Sequence, residues 1–265
     1  MIYNYHAHTF RCKHASGIER NYIENAIKGG IKKMGFSEHA PFRHEDGKQV
    51  GYRIFVEDVK DYFDTLKNLR EEYKDKIEIY IGFEIEYYTP YFDKMFKFAI
   101  DAGAEYFILG QHQIDTDRND MYDGLKYVNI FEESDSEERL SNYVTRCINA
   151  VKTGYISYVA HPDACKFSGN VDAYKREYSR LVKVCKELNV PLEINCLGIR
   201  DNRHYPRKEL WELVGEIGAP VVIGMDAHDE KAAYDKESII IAKQLIKQYN
   251  LNFIEDFTPK FINKI

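Results

Sequence analysis

Along this chain a short apolar, β-rich run repeatedly ends in polar residues and gives way to an amphipathic helical pattern. The first run is Ile2 to Tyr5. A helix follows over about Ile18 to Lys28, stopped by Gly29-Gly30, a pair suited to a C-cap. Lys33 to Ser37 is the second run, and a loop rich in Pro, Gly and His leads to a long helix, about Val56 to Tyr73. The third run, Ile77 to Ile85, is the most strongly β-like. Pro90 sits near the start of a helix that closes before Gly103. Tyr106 to Leu109 is the fourth run, and a longer excursion over about Asp115 to Asp135 separates it from a helix at about Ser136 to Lys152. Ile156 to Ala160, a helix from Val171 to Leu188, and Pro191 to Ile194 continue the rhythm. A helix over about Arg207 to Ile217, the run Pro220 to Ile223 and a helix over about Lys236 to Gln248 complete it, with a final short element expected within Asn252 to Ile265.

Strands alternating with helices imply parallel pairing and right-handed crossovers. Seven such units predict a barrel, with an open doubly wound sheet as the alternative. No compositional border divides the chain, so residues 1–265 are expected to form one α/β domain.

Composition narrows the function classes. Hydrophobic residues make up 44% and charged residues 30%, ordinary for a chain that buries a full core. A formal net charge of -6 gives no general attraction to nucleic acid. No apolar run suggests a membrane span, and the first residues lack a secretion signal. Cys12, Cys147, Cys165, Cys185 and Cys196 are scattered with no CxxC pair, which favours free thiols and a cytoplasmic location.

The polar ends of the runs carry the candidate chemistry. Of nine histidines, His6, His8, His39, His112, His161 and His228 lie just past a predicted strand, as do Glu84 and Asp226; His14 lies in the loop after the first strand. All C-terminal strand ends of a parallel barrel open on one face, so these distant positions would converge. Residues two apart on a strand share a face, which lets His6 and His8, or Asp226 and His228, grip one cation. Each motif alone is weak, and Glu86 shares the face of Glu84, so either glutamate could be the ligand. A nucleophilic triad needs one imidazole rather than seven, and no GxSxG elbow is present. Imidazole and carboxylate suit Zn, Mn or Fe, and nine candidate ligands suggest two or three divalent ions.

Several segments together resemble the polymerase-and-histidinol-phosphatase (PHP) family, nearest to its histidinol-phosphate phosphatases. They are His6-Ala7-His8-Thr9, Cys12-Lys13-His14-Ala15, Gly35-Phe36-Ser37-Glu38-His39-Ala40-Pro41, Gly82-Phe83-Glu84, His161-Pro162-Asp163, Glu193-Ile194-Asn195 with Gly198 and Arg200, and Gly224-Met225-Asp226-Ala227-His228. The resemblance spans essentially the whole chain. It implies a distorted seven-stranded (β/α)7 TIM-like barrel with a trinuclear metal centre. His6, His8, Glu84 and Asp226 would hold the first metal. Glu84 would bridge to a second held by His112 and His161, and His14, His39 and His228 would hold the third. Asn4, where many members carry Asp, the sequence Gln111-His112-Gln113, and Cys196-Leu197 depart from the family pattern without removing a ligand.

The implied reaction is hydrolysis of a small phosphate monoester, foremost L-histidinol phosphate in histidine biosynthesis, by a hydroxide bridging two ions. Asp226, His228, Arg200 and His44 are the candidate catalytic residues. Arg200 is the favoured phosphate clamp and Arg43 the next, because a guanidinium suits bidentate contact. His44 or a metal-bound water would protonate the leaving group, while Tyr52 or Tyr122 would stack on an imidazole. His204 reads as a loop histidine. No nucleic-acid or membrane partner is expected, and a homo-oligomer is compatible with the sequence. A nuclease, a phosphatase for another ester, and a non-catalytic metal-binding domain are the competing readings.

Overall fold

The structure is a computed structural model that describes residues 2–43, 47–89, 91–116 and 126–262. His44, Tyr122 and Pro90 lie outside the described residues. The strands are β1 (Tyr3–Asn4), β2 (Lys33–His39), β3 (Glu78–Ile85), β4 (Phe107–Leu109), β5 (Gln113–Thr116), β6 (Lys126–Asn129), β7 (Ile156–Val159), β8 (Leu192–Asn195), β9 (Pro220–Gly224) and β10 (Asn252–Phe253). The helices are α1 (Glu19–Lys28), α2 (Val59–Tyr73), α3 (Phe92–Ala102), α4 (Glu137–Lys152), α5 (Val171–Glu187), α6 (Cys196–Arg200), α7 (Lys208–Ile217) and α8 (Lys236–Gln248).

The main sheet is parallel throughout, in the order β1-β2-β3-β4-β7-β8-β9-β10. Just beyond β1 and β9 the ring meets itself through a parallel bridge between Ala7 and Ala227. There His8 N–H donates to the Ala227 carbonyl (2.9 Å) and Ala227 N–H to that of His6 (3.2 Å). Seven strands thus make the expected distorted barrel. The eighth, β10, is an addition to the expected count: Asn252 and Phe253 pair with Pro220 and Val221, covering the edge that the two-residue β1 leaves at the opposite end.

Local sequence explains the elements. Every residue of β9 is buried, as a parallel strand covered on both faces requires. Ser136 caps α4 by accepting from Arg139 N–H, and Glu137 and Glu138 favour the positive end of the helix. The α5 stripe Tyr174, Tyr178, Leu181, Val182 and Cys185 is buried at helical spacing.

Beneath the strand ends the interior is filled by aromatic rings. Tyr3, Tyr5, Tyr106, Tyr158 and Phe257 form one buried cluster. Three hydroxyls reach backbone carbonyls: Tyr3 donates to Ile254 (2.8 Å), Tyr5 to Phe257 (3.1 Å), and Tyr106 lies between Tyr5 and Phe36 (3.0 and 3.1 Å). This floor closes the barrel interior beneath the C-terminal mouth. Among the described residues no helix is long and apolar enough to cross a membrane.

Candidate metal centre

His6 and His8 follow β1, His39 ends β2, Glu84 lies near the end of β3, His112 follows β4, His161 follows β7, and Asp226 and His228 follow β9. His14 comes from the loop after the 3-10 turn Phe10–Cys12. All nine sequence-derived candidates converge at the mouth. Glu84 is the hub. Its Oε1 lies 3.0 Å from His161 Nε2, 3.5 Å from His6 Nε2 and 3.6 Å from His112 Nε2; its Oε2 lies 2.8 Å from His39 Nδ1 and 3.6 Å from His8 Nε2. Asp226 Oδ1 lies 3.4 Å from His6 Nε2 and 3.5 Å from His8 Nε2.

Donor atoms converge in overlapping triples: His6 with His8 and Asp226; His6 with Glu84 and His161; His39 with Glu84 and His112; His8 with His39 and His228; and Cys12 with His14 and His228. The grouping is more shared than the resemblance implies, with His39 drawn toward Glu84 and His14 at the outer edge. Cys12 there is a buried thiol that donates to the Thr9 carbonyl (3.2 Å), and burial pushes its pKa up to about 12.

The donors fit cations. His14 directs Nδ1 at the Cys12 carbonyl (2.9 Å) and His228 directs Nδ1 at the Asp226 carbonyl (3.2 Å). A carbonyl only accepts, so in each neutral ring Nδ1 carries the proton and Nε2 keeps a bare lone pair. Those two Nε2 atoms face each other at 3.0 Å, an arrangement of two acceptors that needs a positive centre between or beside them. His6 Nε2, both ring nitrogens of His8, and His161 Nδ1 are buried without a hydrogen-bond partner. Burial, reinforced by neighbouring imidazoles, holds His8 well below the usual histidine range. Burial likewise lowers His39, to about 3, and also lowers His112 and His228, so these rings are neutral donors at pH 7. Burial alone would lower His6 too, but the carboxylates of Asp226, Glu193 and Glu84 outweigh it and raise its pKa. Burial would raise Glu84, yet His112, His39 and His6 hold it well below the carboxylate range. Negative charge is therefore retained at the centre for a cation to neutralise.

Behind the donors lie three buried carboxylates whose supporting role the sequence alone does not reveal. Glu193 accepts from His6 Nδ1 (2.8 Å). Glu38 accepts from the backbone N–H (2.7 Å) and hydroxyl (2.6 Å) of Thr9 and lies 4.0 Å from His8 Nδ1. Glu86, left open as a ligand by sequence, is instead ion-paired with buried Arg53 and accepts from His112 N–H (2.9 Å) and Gln113 N–H (3.1 Å). In sequence, Glu38 and Glu193 stand out as charged residues within apolar strands and within segments that carry the resemblance, and Glu86 as the residue just after β3. Asn4, at the family's Asp position, serves the backbone, accepting from His6 N–H (3.1 Å) and donating to the Ala233 carbonyl (3.3 Å).

Above the donors lies a cavity of about 420 Å³ whose walls include Tyr52, Phe131, Leu197, Arg200, Arg203 and Tyr205. Arg200 is half-buried, donating to Asp235 Oδ2 (3.2 Å) and to the Asp226 carbonyl (3.3 Å). Arg203 is tied to Asp201 (2.9 Å). Arg43 is not brought to this cavity: it is largely exposed and pairs with Glu57. His204 faces the Ala164 carbonyl (2.8 Å) in a loop.

The model of the PHP domain matches residues 4–196. The chain belongs to this family. Among curated relatives, a "probable histidinol-phosphatase" of Deinococcus radiodurans is 24% identical over 227 residues, covering 84% of this chain and 85% of that one. The histidinol-phosphatase of Lactococcus lactis is 24% identical over 279 residues, covering 98% and 96%. The crystal structure of the Lactococcus lactis histidinol phosphate phosphatase complexed with zinc, L-histidinol and phosphate superposes with a TM-score of 0.73 at 20% identity, covering 98% of each chain. That likeness carries the fold: the PHP-type barrel.

Proposed function

We propose that this chain, acting over residues 1–265 as one catalytic unit, hydrolyses L-histidinol phosphate to L-histidinol and phosphate with divalent metal ions. The observation that carries the reading is the convergence of seven histidines, Glu84 and Asp226 at the floor of a small cavity with Arg200 in its wall. Relatives matched over most of their length bear the histidinol-phosphatase name, which supports the choice of ester.

His6, His8, His14, His39, Glu84, His112, His161, Asp226 and His228 would hold two or three ions. When bound, such ions supply Lewis-acid activation of water and neutralise phosphate charge. The chain's own residues do the rest. Burial keeps His8, His39, His112 and His228 neutral, so no proton competes for their lone pairs near pH 7. Asp235 and the Asp226 carbonyl hold two of the N–H groups of Arg200, orienting the guanidinium while others remain for phosphate oxygens. Tyr52, Phe131 and Leu197 offer flat and apolar surface for an imidazole-bearing alcohol. A cavity of about 420 Å³ suits a metabolite, and with a net charge of -6 the chain disfavours a nucleic-acid substrate. The five cysteines are free and buried, which suits a reducing cytoplasm.

The test is phosphate release from L-histidinol phosphate, p-nitrophenyl phosphate and single-stranded DNA by protein stripped of metal and reloaded with Zn, Mn or Fe. L-Histidinol phosphate is expected to have the highest kcat/KM, with activity lost on chelation and restored by metal. Full activity without metal, or equal turnover of every ester, would overturn the proposal.

A further inference from the structure

The carboxylate of Glu193, at the centre of β8, touches three parts of the metal centre while itself lying outside every converging donor group. Its Oε1 accepts from His6 Nδ1 at 2.8 Å. A carboxylate offers no proton, so His6 keeps a proton on Nδ1, and in the neutral ring that a cation requires the lone pair lies on Nε2, toward Glu84 and Asp226. Its Oε2 accepts from the backbone N–H of His161 at 2.9 Å and from Asn195 Nδ2 at 2.9 Å. Asn195 Nδ2 donates in turn to Asp226 Oδ2 at 3.0 Å. The orientation of that amide is fixed from its other side, where Asn195 Oδ1 accepts from Gly198 N–H at 3.0 Å and starts α6.

Two of the gripped residues have unusual backbones. His161 has φ of +28° and Asp226 of +46°, both in the left-handed region that side-chain-bearing residues avoid. Such conformations persist where surrounding contacts over-determine them. Here those contacts radiate from Glu193, directly to His161 and through Asn195 to the side chain of Asp226. The sequence also clears space for it: a β-carbon on Gly224 would fall 1.6 Å from Glu193 Oε1.

We propose that Glu193 is the positioning residue of the metal centre, one carboxylate that sets the ring nitrogen of His6, holds the turn at His161 and aims Asp226 through Asn195. The inference rests on the metal centre of the proposed function and is independent of the ester. Glutamine at 193 keeps the shape but has one acceptor oxygen. It can serve His6 or the His161 and Asn195 donors, not both.

The experiment measures zinc affinity of folded Glu193→Gln by competition with a chromophoric chelator, beside zinc stoichiometry and the melting midpoint of the metal-free protein. Zinc affinity is expected to fall roughly 10–100-fold. Asn195→Ala keeps the contacts to His6 and His161 and should lose less. Gly224→Ala displaces the carboxylate without removing it and should resemble Glu193→Gln. A lowered melting midpoint with wild-type zinc affinity would reduce Glu193 to a core filler and overturn the proposal. If Glu193→Gln does not fold, Asn195→Ala and Gly224→Ala decide: weakened zinc binding in both supports the role, and wild-type affinity in both ends it. A wild-type protein that takes up no zinc, manganese or iron would instead overturn the metal centre itself.

Discussion

A β-carbon placed on Gly110 would fall 1.7 Å from Glu84 Oε1, so the carboxylate that five imidazoles surround fills the space of an absent side chain. Gly110 does not have a positive φ, and alanine would suit its backbone. Gly110→Ala should therefore act through that one contact, pushing Glu84 off its position while the barrel still folds. Metal retained after dialysis, read by mass spectrometry, should drop, and phosphatase activity with it by more than roughly 100-fold, since a carboxylate shared by two donor groups would matter more than the outer groups. An alanine variant with full metal content would show that Glu84 has another place to go.

Arg200 makes a separate prediction, because it touches no candidate ligand side chain, only the Asp226 carbonyl and Asp235. Loss of a charge-assisted contact to phosphate is worth about 1.5–3 kcal/mol, or roughly 10–150-fold in kcat/KM. Arg200→Ala should show a loss of that size with unchanged metal content. Arg200→Lys should recover little of it, since an ammonium lacks the planar fork. Steady-state kinetics on L-histidinol phosphate check this, and unchanged constants would remove Arg200 from phosphate binding.

The lowered histidines set the acid stability of the metal-free protein. Unfolded, a histidine titrates near 6.5. Folded, His39 is held down to about 3 by burial, and His8, His112 and His228 are lowered too. Between about pH 6.5 and 3 the unfolded chain therefore binds more protons at these sites, so their contribution to stability falls as pH falls through that window. His6 has the opposite sign: its raised pKa favours the folded state at low pH, and that contribution fades as pH rises through its folded pKa. His204 is lowered by burial as well, so five rings against one predict net acid destabilisation. Melting midpoints of chelator-treated protein from pH 7.5 to 4 check it; a flat profile would contradict the burial of neutral imidazoles.

The barrel was largely legible because its strands are short, apolar and bounded by polar residues, as Ile77 to Ile85 illustrates against the observed Glu78–Ile85. The donors were legible through position: strand ends of a parallel barrel share one face. Three features were not. The β5–β6 hairpin hides in the polar stretch after Leu109, yet it places Gln113 and Asn129 at the mouth, and Phe131 follows just beyond it. Helix α6 has five residues, too few for periodicity, and begins on the Asn195 cap rather than on an apolar stripe. The choice between Glu84 and Glu86 depended on Arg53, thirty-odd positions upstream, whose buried cation claims Glu86 and leaves Glu84 to the imidazoles. Arg43, the second choice for the phosphate clamp, is claimed by Glu57 fourteen residues on.

The Ala7–Ala227 bridge lies between His6 and His8 on one side and Asp226 and His228 on the other. The seam where the first and last barrel strands meet is thus also the place where ions would be held, and each ion shared across it would act as a rivet between segments some 220 positions apart. Stripping the metal should let this seam breathe before any other part of the ring. Amide exchange at His8 and Ala227 is then expected to quicken on chelation while β2 and β3, joined over seven residue pairs, keep their protection.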